Sequence, residues 1–479
     1  MRKNVLLSFT LMSVLGAALI VASTSARAAD NTVAQASSSA APAGASMSAA
    51  ERDAEIQELK ARLEKLEAAQ QAEDATIQAQ QKQLETKAAQ DKVVSTGSFP
   101  GSFKVPGTNT SIKIDGFVDL QTFYDPQQNL GDKFQVGNIL PPSGAQAQTA
   151  GTFHAQGKLT RINIATETPS DHLGTLKTFF SMDFFNSQAN GPGQTIQNNN
   201  YTPRVREAWG ELGGFRIGKQ WSLFQDDPDS MDSLDLSGPT GVPAEQVLEL
   251  RYTHKLGIGS LAVAANSPAT DYAGSDSASD VESASAYNPV PDFETRYEVG
   301  GKAGHLQVSG VWRKLAYDDG AYHRTMTTGG GMLVGGTLNL GQYSAVGGET
   351  WFGSGIERYS PDDFGPVSSA QINNINTPNQ QIYAANSHGL AIYALHVWSA
   401  EFRSNVGYGT YAMQWFSFLP LTDSEPALTR TLHINTIWSP MKPIDIGIEY
   451  MNGTKAFRSG LALPDTNASR WEMAFKYKY

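Results

Sequence analysis

Two hydrophobic periods divide the chain. From Ser48 onward, apolar residues recur at steps of three and four: Ile56, Leu59, Leu63, Leu66, Ile77 and Leu84. With Ile56 at heptad position a, Leu63, Gln70, Ile77 and Leu84 also fall at a, and Leu59, Leu66, Glu73, Gln80 and Lys87 fall at d. This is the seam of an α-helical coiled coil over residues 51–92, apolar at its start and mixed further on. A long polar helix needs partners to cover such a seam, so self-association is expected. From Ser111 to Tyr479 the period falls to two, in short runs separated by Gly, Pro, Asn and Asp.

The alternating runs are explicit. Ile112, Ile114, Val118 and Leu120 oppose Lys113, Asp115, Asp119 and Gln121. Leu176, Thr178, Phe180, Met182 and Phe184 oppose Lys177, Ser181 and Asp183. Phe215, Ile217, Trp221 and Leu223 form an apolar set that Lys219 interrupts, against Arg216, Gly218, Gln220 and Ser222. Leu248, Leu250 and Tyr252 oppose Glu249 and Arg251, and Ile444, Ile446, Ile448 and Tyr450 oppose Asp445 and Glu449. The last run places Trp471, Met473, Phe475, Tyr477 and Tyr479 on one face and Arg470, Glu472, Lys476 and Lys478 on the other. Tight links such as Gly257–Gly259 and Ser439–Pro443 alternate with long segments such as 125–157, 186–203, 267–291 and 354–386. Short turns at one end and long loops at the other predict an all-β transmembrane barrel of about 16 antiparallel strands, preceded by the helical coiled coil. A secreted sandwich or β-helix also alternates, but has no need of a terminal aromatic strand.

Composition fits this reading. The mean hydropathy is −0.32, too polar for a helical membrane protein. It suits a barrel, in which only alternate strand residues meet lipid. Residues 1–28 read as a secretory signal: Arg2 and Lys3, an apolar stretch from Val5 to Ala22, then Ala26-Arg27-Ala28 at the cleavage position. Residues 29–50 read as a flexible Ala/Ser linker, and 93–110, with Gly97, Pro100, Gly101 and Pro106, as a hinge before a barrel over 111–479. The formal net charge is −11, and loss of Arg2, Lys3 and Arg27 takes it to about −14. An acidic chain without a basic cluster is a poor nucleic-acid partner. The absence of cysteine excludes a disulfide scaffold and cysteine metal sites.

Catalytic motifs are missing. The eight histidines form no HExxH pair, and Gly353-Ser354-Gly355 lacks the spacing of a nucleophile elbow. Gly329-Gly330-Gly331 precedes a strand-like run and not a helix, so it is no phosphate loop. Asp226-Asp227-Pro228-Asp229 lacks the ligand spacing of a calcium loop. The chain reads as a non-enzyme without cofactor or metal.

Several segments resemble the DcaP-like porins of Gram-negative outer membranes: Lys113-Ile114-Asp115-Gly116-Phe117-Val118-Asp119, Glu167-Thr168-Pro169, Gly174-Thr175-Leu176-Lys177-Thr178, the stretch from Arg204 to Leu212, and Gly218-Lys219-Gln220-Trp221-Ser222-Leu223-Phe224. The resemblance implies a homotrimeric channel in the outer-membrane lipid, a coiled coil in the periplasm, and uptake of small organic acids, dicarboxylates among them. Sugar porins with coiled-coil stalks share the layout. A general diffusion pore, or a tether between outer membrane and cell wall, also remains open.

Pores sort small solutes by width and by lining charge. Parity turns Arg161, Arg204, Arg206, Arg216 and Arg251 toward the lumen, where a guanidinium fork suits anionic carboxylate solutes. The acidic segment between Phe224 and Val247, with Asp226, Asp227, Asp229, Asp232 and Asp235, is expected to fold inward as a constriction loop and set acids against the arginines.

Overall fold

The computed structural model describes residues 48–92, 95–141, 150–185, 201–226, 231–275, 287–359, 368–422 and 425–479. The signal and most of the linker lie outside them. The chain divides into two units, Met1–Lys87 and Ala88–Tyr479.

A single helix runs Ala49–Lys92, most of it in the first unit. No glycine or proline interrupts it, and Ala, Glu, Gln, Lys and Leu are strong helix formers. The seam residues Ile56, Leu59, Leu63, Leu66, Ile77 and Leu84 are all exposed on the single chain.

The second unit is a closed antiparallel barrel of sixteen strands. They are β1 (Ser111–Asp125), β2 (Arg161–Ser170), β3 (Gly174–Asp183), β4 (Arg204–Leu212), β5 (Phe215–Trp221), β6 (Gln246–Leu256), β7 (Gly259–Asn266), β8 (Asp292–Gly301), β9 (Gly304–Asp318), β10 (Arg324–Leu340), β11 (Ser344–Ser354), β12 (Asn386–Val397), β13 (Phe402–Met413), β14 (Pro426–Met441), β15 (Ile444–Phe457) and β16 (Thr466–Lys478). Each pairs with the next, and β16 closes on β1 through Phe117↔Lys478 to Tyr124↔Trp471. Closure leaves no edge, which is what permits a sheet to cross lipid. Thr152–Gln156 extends β2 past a break at 157–160 and pairs with the far half of β1. The segment expected to be a hinge is partly ordered: Phe103–Lys104 pairs with Ser111 and Ile112.

Turns of two to four residues join strands at one end, while the other carries connections from five residues (319–323) to thirty-one (355–385). Two of the long loops contribute a small separate sheet of Tyr272–Gly274, Ala370–Asn373 and Gln381–Ala384. The expected outward residues are exposed, including Ile114, Leu176, Ile217, Leu250, Ile448 and Phe475. Tyr479 docks the terminus at the seam, its N–H donating to the Gly116 carbonyl at 3.1 Å and its hydroxyl to the Arg161 carbonyl at 3.2 Å.

One face assignment is corrected. Trp221 and Leu223, expected on the lipid face, lie inside. β5 ends at Trp221 and the chain then leaves the wall for the lumen. Leu223 packs on Ala262 and Ala264, and the Trp221 ring meets the Arg206 guanidinium 5.2 Å from its centroid.

Candidate functional site

The segment between β5 and β6 runs through the interior along the wall from β8 to β15, then to β1. Its groups bond inward-facing side chains one after another. Leu223 N–H donates to Glu294 at 2.6 Å, and Gln307 Nε2 donates to the Gln225 carbonyl at 2.9 Å. Further along, the Trp351 indole donates to the Gly241 carbonyl at 2.7 Å and Thr240 N–H to the Thr431 hydroxyl at 2.8 Å. Glu449 accepts from Leu234 N–H at 2.6 Å and from the Ser233 hydroxyl at 2.7 Å, and Gln121 Nε2 donates to the Leu234 carbonyl at 3.0 Å. Glycines on the wall make room for it. A side chain at Gly409 would collide with Thr240, one at Gly407 with Met231 and Pro239, and one at Gly447 with Leu234.

The described aspartates of this loop hold it in place. Asp226 receives His305 Nε2 at 2.8 Å, Asp232 pairs with Arg403 at 2.6 Å, and Asp235 accepts the Phe134 N–H at 3.0 Å. They engage the wall and the first long loop, whereas the sequence suggested acids facing the arginines. Asp227 and Asp229 lie outside the described residues.

On the opposite wall, from β2 to β6, all five arginines face inward. Arg204 sits on Asp183 through Nε at 2.9 Å and Nη2 at 2.7 Å, and Arg206 shares that carboxylate at 3.0 Å. A register shift opposite Ser181 and Met182 puts Arg206 and Glu207 side by side on the inner face, so Trp209 and Glu211 also point inward. Arg216 is held by Glu211 at 2.8 and 2.6 Å and lies 3.9 Å over the Trp209 ring. Arg251 pairs with Glu249 at 2.5 Å. Arg161 alone among the five has no hydrogen-bonded or ion-paired partner among the described residues; its guanidinium lies 5.3 Å from the Phe117 ring centroid.

Between loop and this wall lies a cavity of about 290 Å³, lined by Phe117, Leu159, Arg161, Arg206, Trp221, Lys476 and the loop from Met231 to Ala244. Sequence reasoning missed Lys476 and Phe117 as lining groups. Both were readable from alternation in the first and last strands, which a closed barrel sets side by side, but the register between those strands and the approach of the inner loop were not.

A family model described as a porin subfamily matches residues 93–431. The chain belongs to the porin subfamily. It is an outer-membrane channel and not an enzyme. The DcaP outer membrane channel of Acinetobacter baumannii superposes with a TM-score of 0.65 over 81% of this chain and 100% of that one, at 18% identity, which is a likeness of fold. An anion-selective porin from Comamonas acidovorans gives a TM-score of 0.48 at 9% identity, over 77% of this chain and 100% of that one. A putative outer membrane protein of Sinorhizobium fredii is 30% identical over 125 residues, 26% of this chain. The chain spans only 31% of the length of that relative.

Proposed function

We propose that this porin passes small organic acids, dicarboxylates among them, by passive diffusion, as a homotrimer with its N-terminal helix in the periplasm. The carrying observation is the division of the lumen. The loop covers the wall from β8 onward, and Arg161 of β2 and Arg206 of β4 line the cavity left between it and the opposite wall. A passing anion meets guanidinium groups there, which pair with carboxylates in a planar fork. The dicarboxylate preference rests on the resemblance to DcaP-like porins. Export is supported by the tripartite segment at 1–28, and self-association by the uncovered heptad seam of Ala49–Lys92. Both barrel termini lie at the end of the short turns, which in bacterial barrels is periplasmic.

The test is purified protein in a planar bilayer under a salt gradient. Conductance stepping in threes, an anion-selective reversal potential and block by succinate are expected. Cation selectivity without a succinate effect would remove the organic-acid reading.

A further inference from the structure

Two cations of the cavity lack the acidic partners that hold the other inward arginines. Arg161 on β2 and Lys476 on β16 flank Phe117 on β1, the guanidinium 5.3 Å and the ammonium 4.8 Å from its ring centroid. Neither forms an ion pair among the described residues, whereas Arg204 and Arg206 share Asp183. Two positions further along β1, Asp119 stands directly opposite Lys476 in the strand register. Its side chain is buried at 3% exposure, and neither carboxylate oxygen has a hydrogen-bond partner among the described residues. A buried carboxylate without donors is costly unless cations stand close by. The cations within its electrostatic reach are Lys476 and Arg161, and the buried Glu472 of β16 also lies within reach. The three groups therefore occupy adjacent strands across the seam where the barrel closes.

We propose that Arg161 and Lys476 form the carboxylate-selecting site of the pore and that Asp119 is its resident counter-ion. This rests on the channel reading above. The two cations are left free to meet a passing carboxylate. Asp119 offsets part of their charge, so that the anion is attracted and still leaves, as conduction requires. Phe117, Leu159, Trp221 and Leu234 supply apolar surface in this cavity beside polar lining from Gln225, Ser233, Asp235 and Ser237. The site therefore favours a carboxylate with a compact apolar body over an inorganic anion.

The experiment uses the full chain in planar bilayers, with folding of each variant checked by its shift in gel mobility on heating. Permeability ratios and block by benzoate, formate and phosphate are read for wild type, Asp119→Asn, Arg161→Gln and Lys476→Gln. One charge at ~8 Å under water-like screening changes a local ion concentration about two- to three-fold. Asp119→Asn is expected to raise the anion-to-cation ratio by that factor and to strengthen benzoate block. Arg161→Gln and Lys476→Gln are expected to lower both, and they carry the test if Asp119→Asn does not fold. A conducting wild type whose ratio is unmoved by the folded variants overturns this inference alone, and block by phosphate equal to that by benzoate overturns the carboxylate preference. A wild type that never conducts overturns the channel reading and this inference with it.

Discussion

Glu449 is a fully buried anchor of the inner loop, and its two oxygens are not equivalent. Oε2 accepts the Leu234 N–H at 2.6 Å and the Asn435 amide at 3.1 Å. Oε1 accepts the Ser233 hydroxyl and His433 Nδ1, both at 2.7 Å. A backbone N–H and a side-chain NH2 can only donate, whereas a hydroxyl and an imidazole nitrogen can also accept. In Glu449→Gln the new NH2 group should therefore settle at the Oε1 position, and the anchor survives with some loss of charge assistance, about 1 kcal/mol. In Glu449→Ala both bonds to the loop vanish, each of a kind worth ~1.5–3 kcal/mol. Local opening around Leu234 then becomes easier by about 3–6 kcal/mol, a factor on the order of 10² to 10⁴. Hydrogen exchange of the Leu234 amide, followed by mass spectrometry on the reconstituted barrel, reads this directly. Exchange should speed up by that factor in the alanine variant and by less than about tenfold in the glutamine variant. Unchanged protection in Glu449→Ala, or equal acceleration in both variants, would refute the reasoning.

Other outcomes follow from the same geometry. Asp183→Asn removes the carboxylate shared by Arg204 and Arg206. It should cost about 3–5 kcal/mol of barrel stability in denaturant titration while shifting the reversal potential toward anions. Deleting residues 48–92 should leave the conductance of each barrel intact and weaken the oligomer on native gels, because the uncovered seam is lost; an oligomer of unchanged strength would argue against a coiled coil. In the long loop after β11, burial and the charge of Asp271 push the Glu357 carboxyl well above its usual range. The folded form then keeps a proton that the unfolded chain releases, so stability falls as pH rises from the usual carboxylate range toward the folded pKa. Glu357→Gln should melt higher than wild type at pH 8 and together with it at pH 4, by calorimetry.

The strand count and the facing of most strands were legible because lipid contact imposes a period of two. The five arginines could be assigned inward by parity alone. Of the inward carboxylates that alternation exposes, Asp183 and Glu249 pair with these arginines, whereas Glu449 receives the loop. The stretch 320–440 alternated weakly because inward positions such as Gly407 and Gly409 are stripped of side chains to seat that loop. A weak pattern there was the trace of a long-range contact that no local window could resolve. The misplacement of Trp221 and Leu223 has a related cause, since alternation continues through Leu223 although the chain has already left the wall. Asp226, Asp232 and Asp235 were recognisable as loop residues, but the groups they face come from distant strands and from the first long loop.

The junction at Gln121 carries a consequence for the order of assembly. Its amide donates both to the Leu234 carbonyl at 3.0 Å and to Glu472 at 2.8 Å, joining the first strand, the middle of the chain and the last strand in one place. That node cannot form until the final strand has been delivered. Contact of the loop with that node is therefore completed only at ring closure, while its anchors on β8 to β15, the Glu449 carboxylate among them, do not need the last strand. The last strand thus fastens the inner loop as well as the wall.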